Sequence, residues 1–333
     1  MSNARSPMTR RNPVARAVLA LIVSAVAAQS QSARRPGATE AQSARRTWEG
    51  SYLELVSASP DGRLVSNMDE LYGNMWVRDV RSGKTRAITG NTSYATWTGV
   101  ASSSVFSPDS KELAYVWSSF AAKRTEIRIG GVDSTPPRVI YQADTTVRSI
   151  SVEDWTSDGA YLATVLARGD GSSQLLLIST ATGAQPRVIR TFVDWLGPSG
   201  VRVSPDGRYI AYSIPASRLD GRREVHVLSL GEGRDQLVAR SDADDAVLGW
   251  TADGAHLVFS SERGGSPGVW SAPMSDGRPS GEPRLVRGDI WRMIPLRLTA
   301  SGNLFYLVQA GDRQLNIASF DASTGQMLST PTA

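Results

Sequence analysis

The most catalytic-looking run in the chain is GGSPG at 264–268, which matches the G-x-S-x-G pattern of a nucleophilic serine. That pattern works when a strand runs into the turn, a helix leaves it, and a histidine base follows later in the chain. Here Pro267 follows Ser266, the next run is the strand-like VWSAPM (269–274), and the last histidine, His256, lies upstream. The run therefore reads as a glycine-rich loop between two strands. The chain has two histidines, His226 and His256, at unrelated positions, too few to assemble an imidazole-rich metal or lyase site. SDADDAV (241–247) brings together Asp242, Asp244 and Asp245 but lacks the D-x-D-x-D-G order of a calcium loop. RGD occurs at 168–170 and 287–289, a weak signal in a chain rich in all three residues. With no cysteine, thiol catalysis, thiolate metal sites and disulfides are excluded. No cofactor, metal or catalytic set is expected.

Aromatic residues give a different signal. Trp97, Trp195 and Trp291 stand alone between apolar runs, with Asp194 and Arg292 beside two of them. Aromatics with a few charges are what peptide or carbohydrate docking uses. The alternative is that each tryptophan covers the edge of its own structural unit. Which holds depends on the elements that carry them.

Those elements repeat. SPDG (59–62), SPDS (107–110), TSDG (156–159), SPDG (204–207), TADG (251–254) and TASG (299–302) place their third residue at Asp61, Asp109, Asp158, Asp206, Asp253 and Ser301, separated by 48, 49, 48, 47 and 48 residues. Proline or a small residue, then aspartate, then Gly62, Gly159, Gly207, Gly254 or Gly302 is the chemistry of a tight turn. Three residues before each anchor stand Ala58, Phe106, Trp155, Val203, Trp250 and Leu298; four after it stand Val65, Leu113, Leu162, Ile210, Leu257 and Phe305. Each turn is thus expected to join two strands with buried positions in phase. Two more strand-like runs complete each unit, for example LLLIS (175–179) and PRVIR (186–190). Four antiparallel strands per unit, with no 3.6-residue periodicity, predict an all-β, six-bladed β-propeller of four-stranded antiparallel blades over 47–333. A single blade leaves both faces bare, so each must pack on a neighbour. The tryptophans then precede the anchors of the second, fourth and sixth units by 12, 11 and 10 residues, in the connections leading to the innermost strands at one channel mouth.

Ahead of the repeats, Arg5, Arg10, Arg11 and Arg16 precede the apolar run AVLALIVSAVAA (17–28), the layout of a secretion signal cleaved near Ala28. Residues 29–46, rich in Gln, Ser, Ala and Arg, read as a flexible linker. A periplasmic or secreted protein is expected, with no stable membrane anchor after cleavage. The formal charge of +4 belongs to this leader: residues 1–46 hold eight arginines and one acid, leaving the body at −3. A nucleic-acid partner is therefore not expected.

SPDG followed by RYIAYS, with FSSERGGSPGVW (259–270), resembles the WD-like propeller repeats of the TolB family. The resemblance covers the propeller part alone; no counterpart of that family's α/β N-terminal domain is expected. It implies a propeller used in many settings. The leading expectation is a non-catalytic scaffold for an envelope protein or peptide. The alternatives are a channel-mouth glycan lyase or hydrolase, and the propeller segment of a larger sensory or peptidase-like parent.

Overall fold

In five of the six repeats the turn is built by its own side chains. Ser59, Ser107, Thr156, Ser204 and Thr251 donate their hydroxyls to the carboxylates of Asp61, Asp109, Asp158, Asp206 and Asp253 at 2.5–2.7 Å. The same carboxylate oxygens accept the amides of Arg63, Lys111, Ala160, Arg208 and Ala255 at 2.9–3.1 Å. Each hydroxyl then accepts the amide that opens the next strand, at 2.8–3.0 Å. This local bonding satisfies the turn without help from tertiary structure. Gly62, Gly159, Gly207, Gly254 and Gly302 sit at φ of 68° to 77°, where a side chain is strained. The second repeat puts Ser110 there, at φ 60°. Ser110→Gly is expected to raise stability by about 0.5–1 kcal/mol, because relief of left-handed strain exceeds the gain in unfolded-chain entropy; the urea midpoint measures it, and an unchanged or lower midpoint refutes it.

The sixth turn corrects the alignment. The Thr299 amide bonds to the Asn303 carbonyl at 2.9 Å, a span of four residues, whereas Thr156 bonds to Tyr161 across five. One residue shorter, this turn pairs Leu298 with Leu304, and Phe305 moves opposite Arg297.

The structure is a computed structural model that describes residues 53–69, 73–90, 98–133, 135–193, 197–288, 290, 293–299, 302–310, 312–321 and 326–327. Its strands form antiparallel sheets in sequence order. The first contains β1 (Leu53–Ala58), β2 (Leu64–Asp69), β3 (Met75–Asp79) and β4 (Thr85–Ala87). The second contains β5 (Gly99–Phe106), β6 (Glu112–Ser119), β7 (Arg124–Gly131) and β8 (Arg138–Gln142). The third contains β9 (Val147–Trp155), β10 (Tyr161–Arg168), β11 (Ser173–Ser179) and β12 (Arg187–Phe192). The fourth contains β13 (Ser199–Val203), β14 (Tyr209–Pro215), β15 (Arg223–Ser229) and β16 (Asp235–Leu237). The fifth contains β17 (Asp245–Trp250), β18 (His256–Ser261), β19 (Gly268–Ser275), β20 (Arg278–Pro279) and β21 (Arg284–Arg287). The sixth contains β22 (Met293–Leu298), β23 (Asn303–Ala310), β24 (Asp312–Asp321) and β25 (Gln326–Met327).

Four-stranded blades are thus found in five sheets, and the fifth sheet departs from the expected pattern. Its outer position is split between β20 and β21, both paired with β19. Pro279 and Pro283 bracket the break, and proline donates no ladder hydrogen bond. The Asp276–Gly277 turn ahead of it has both φ values positive, at 47° and 70°, as a two-residue hairpin requires.

First strands of successive sheets lie side by side, β1 with β5, β5 with β9, β9 with β13, β13 with β17 and β17 with β22; β22 in turn meets β1. The described strands therefore close into a ring, an all-β propeller. Apolar clusters fill the seams between sheets: Ile127, Ile129, Ile150 and Leu162 between the second and third, Val227, Val247, Leu257 and Phe259 between the fourth and fifth. Each such side chain contributes roughly 1.5–3 kcal/mol on burial. Ala58, Val65 and Phe305 join the first sheet to the last. The closing seam is packed face to face, and no strand is exchanged across it among the described residues. At Gly249 the inner strands approach so closely that a Cβ would stand 3.1 Å from the Leu298 Cβ, and any side chain there would require Leu298 to shift by a few tenths of an ångström.

Candidate functional site

Each first strand carries a β-bulge near its middle, which re-aims the residues after it. Four residues before the six turn anchors stand Ser57, Val105, Asp154, Arg202, Gly249 and Arg297. The three charged members of that column come together. Arg297 Nη2 lies 2.5 Å from Asp154 Oδ1, and the two side chains are 14% and 5% exposed. Asp154 Oδ2 also accepts the Val203 amide at 2.8 Å. Since three seams separate β9 from β22 in either direction, this ion pair spans the propeller axis. Arg202 joins it: Nη1 donates to the carbonyls of Val201 at 2.8 Å and Glu153 at 3.1 Å, while its own carbonyl accepts Trp250 Nε1 at 3.2 Å. Burial pushes the Arg202 guanidinium below its ordinary pKa and Arg297 adds to this, with Asp154 and Glu153 opposing. A buried cluster of two arginines and an aspartate thus ties opposite sides of the ring together across its axis. Sequence reading missed it, although the column four residues before the anchors held the signal: three charges among small and apolar neighbours.

The connections between second and third strands, and those between sheets, share one face of the ring. Arginine–aspartate pairs fasten several of them. Arg168 Nη1 lies 3.3 Å from Asp144 Oδ2, Arg223 Nη2 2.6 Å from Asp244 Oδ2, and Arg263 Nη2 2.6 Å from Asp245 Oδ2. The Arg222 fork grips Asp220 and holds that carboxyl down to about 2. The acids of SDADDAV are therefore arginine partners: Asp244 and Asp245 are tightly paired, and Asp242 lies 3.9 Å from Arg222. Arg168 and Asp170 of the first RGD serve local bonding, to Asp144 and Ser172; Asp289 of the second lies outside the described residues. GGSPG runs through the loop after β18 into Gly268, the first residue of β19, so a strand and not a helix follows it. Among the described residues no three carboxylate or imidazole groups converge as a metal-binding set.

Three large apolar side chains stand exposed on this same face: Phe120 at 50%, Val193 at 63% and Leu219 fully. Phe120 and Leu219 lie between second and third strands of the second and fourth sheets; Val193 lies in the connection leading to β13. Trp97, Asp194, Trp195, Trp291 and Arg292 lie outside the described residues.

A second charged cluster lies between the third and fourth sheets. Asp235 Oδ2 accepts the Tyr212 hydroxyl at 2.7 Å, pairs with Arg190 Nη1 at 2.7 Å, and lies 3.5 Å from His226 Nδ1. Glu224 Oε2 faces His226 Nε2 at 3.4 Å. Tyr212 stacks on His226, and Phe192 meets Tyr212 edge-on. His226 is partly buried on β15 and takes its partners from that strand and its neighbours β14 and β16, while the third sheet contributes Arg190 through Asp235.

No family model matches the chain. Among solved structures, a TolB protein from Agrobacterium tumefaciens matches with a TM-score of 0.57 at 15% identity, covering 77% of this chain and 87% of that one. A prolyl endopeptidase matches at 0.55 and 15% identity, covering 83% of this chain and 42% of that one. Dipeptidyl peptidase 4 from Porphyromonas gingivalis matches at 0.51 and 12% identity, covering 84% and 45%. The chain spans less than half the length of the two peptidases. Together with the closed ring of antiparallel sheets, these likenesses define the class: the chain is a β-propeller. Its arrangement is TolB-like.

Proposed function

We propose that this chain is a periplasmic or secreted six-bladed propeller that binds a protein or peptide at its channel mouth and performs no chemistry. Under this reading residues 1–28 are a cleaved signal peptide, 29–46 a linker, and all six sheets act as blades of one domain over 47–333. The observation that carries it is the face bearing Val193 and Leu219, with half-exposed Phe120 beside them, where apolar side chains are exposed over connections fastened by ion pairs. Exposed apolar groups on a rigid frame favour protein contact. The charge cluster on the axis supports docking over passage through the ring. Trp97, Trp195 and Trp291 would add aromatic anchors to this face. Replacing all three with alanine is expected to abolish capture of the partner from an envelope extract while circular dichroism and the melting temperature stay unchanged. Loss of folding would mean that they cover their own sheets, and robust turnover by the intact protein on a panel of glycans, esters or peptides would refute the non-catalytic reading.

A second reading is the propeller of a longer, peptidase-like parent, favoured by the matches to parts of two peptidases. Under it, the same face would meet a catalytic domain encoded in the same reading frame, which sequencing of the transcript would reveal.

A further inference from the structure

A cavity of about 390 Å³ opens at the outer cleft between the fourth and fifth sheets, walled by Val238, Arg240, Arg263, Pro279, Glu282 and Pro283 among others. Its size lies within the range of small-ligand sites, roughly 300–1,000 Å³. Arg263 is a preorganised part of that wall. Its side chain is 13% exposed, Nη2 pairs with Asp245, and Nε donates to Ser261 Oγ at 2.9 Å. Its guanidinium also lies over the rings of Phe259 at 4.9 Å and Trp270 at 5.5 Å. All these contacts immobilise the fork, yet among the described residues Nη1 finds no acceptor. Two buried polar atoms beside this arginine, Asp245 Oδ1 and Trp270 Nε1, also lack hydrogen-bond partners. On the exposed rim Arg240 and Glu282 take part in no ion pair among the described residues.

We propose that this cleft captures the C-terminal carboxylate of a peptide. Arg263 Nη1 and the Arg240 guanidinium donate to the carboxylate, and the last side chain rests on Val238, Pro279 and Pro283. A planar guanidinium fork matches a carboxylate better than it matches a spherical ion. Glu282 and Asp245 discriminate against a doubly charged phosphate, which both would repel. The apolar part of the wall suits an organic body, and the exposed rim lets the rest of a chain continue into solvent. The cleft uses none of the apolar or tryptophan side chains offered for channel-mouth docking, although the Arg263–Asp245 pair also fastens that face, so Arg240→Ala and Glu282→Gln test the cleft alone.

Titration calorimetry on the full chain tests it with four probes: acetyl-Ala-Ala-Ala-Leu with a free carboxylate, the same peptide as its C-terminal amide, sodium acetate, and inorganic phosphate. The free acid is expected to bind at least about tenfold more tightly than the amide, and more tightly than acetate or phosphate. Arg240→Ala, an exposed change that spares the fold, is expected to weaken the free acid by about five- to tenfold, and Glu282→Gln to tighten it by about two- to threefold. Arg263→Lys keeps the charge, loses the fork and lowers the acid-to-amide ratio; should it fail to fold, Arg240→Ala and Glu282→Gln still decide the matter. Equal binding of acid and amide, acetate or phosphate matching the free acid, no effect of Arg240→Ala, or no heat from any probe overturns the proposal.

Discussion

Arg297→Met is expected to destabilise the protein by about 3–5 kcal/mol, the usual cost of removing one partner from a buried ion pair. The expectation rests on what the substitution leaves behind. Asp154 is 5% exposed, and among the described residues its carboxylate has, apart from Arg297, the amide of Val203 as its one close hydrogen-bond partner. A carboxylate stripped of its counter-ion in that position must stay charged at high cost or take up a proton. Arg202 is near enough to respond, but its Nη1 is held by the carbonyls of Glu153 and Val201, and swinging to Asp154 would orphan both. Asp154→Asn combined with Arg297→Met removes both charges while keeping an oxygen for the Val203 amide, so the double variant should regain more than half of the loss. Urea unfolding of the wild type, both singles and the double variant gives the coupling energy directly. A single-variant cost below about 1 kcal/mol would show that the pair does not hold the ring across its axis, because surface pairs fall in that range.

That pair also marks where sequence reading stops. The turns were legible because their chemistry is local: Ser204, Asp206 and the amides of Arg208 and Tyr209 lie within six residues and bond to one another. The recurring apolar columns were legible for a similar reason, since strand pairing across a short turn fixes register within a few residues. Pairing Asp154 with Arg297, 143 residues apart, follows only from closing the ring. The shortened sixth turn escaped because TASG keeps the spacing of the motif while its hydrogen bond closes one residue earlier. The split outer strand of the fifth sheet was signalled by Pro279 and Pro283, yet PRLVR alone reads as an ordinary fourth strand. The expected tryptophan site lies outside the described residues, while Asp245, one of the acids of SDADDAV, and Arg263 form a fixed pair beside a cleft that only the packed fourth and fifth sheets create.

His226 and Asp235 should make stability depend on pH in opposite directions at the two ends of the scale. Burial works against the imidazolium of His226, but hydrogen bonding and charge from Asp235, then Glu224, outweigh it, so its pKa is raised. Its stabilising contribution is therefore full below the unfolded value of about 6.5 and is lost as pH rises through the folded value above it. Burial likewise pushes Asp235 up, but His226, Tyr212 and Arg190 bring it below its ordinary value. Its contribution is present above the unfolded value of about 3.9 and disappears as pH falls through the lower folded value. Between roughly pH 4 and pH 6.5 both contributions are in place. His226→Gln should flatten the decline in stability from pH 6 to 8 and also weaken the acid limb, since His226 is one of the groups that hold Asp235 down. Asp235→Ala should cost about 2–3 kcal/mol at pH 6, since it leaves the buried Tyr212 hydroxyl without an acceptor and removes the carboxylate shared by Arg190 and His226. Asp235→Asn should cost less, because its side-chain oxygen still serves Tyr212. Denaturant midpoints taken at unit pH steps distinguish these outcomes, and an unchanged slope between pH 6 and 8 in His226→Gln would show that the imidazole does not take its charge from this cluster.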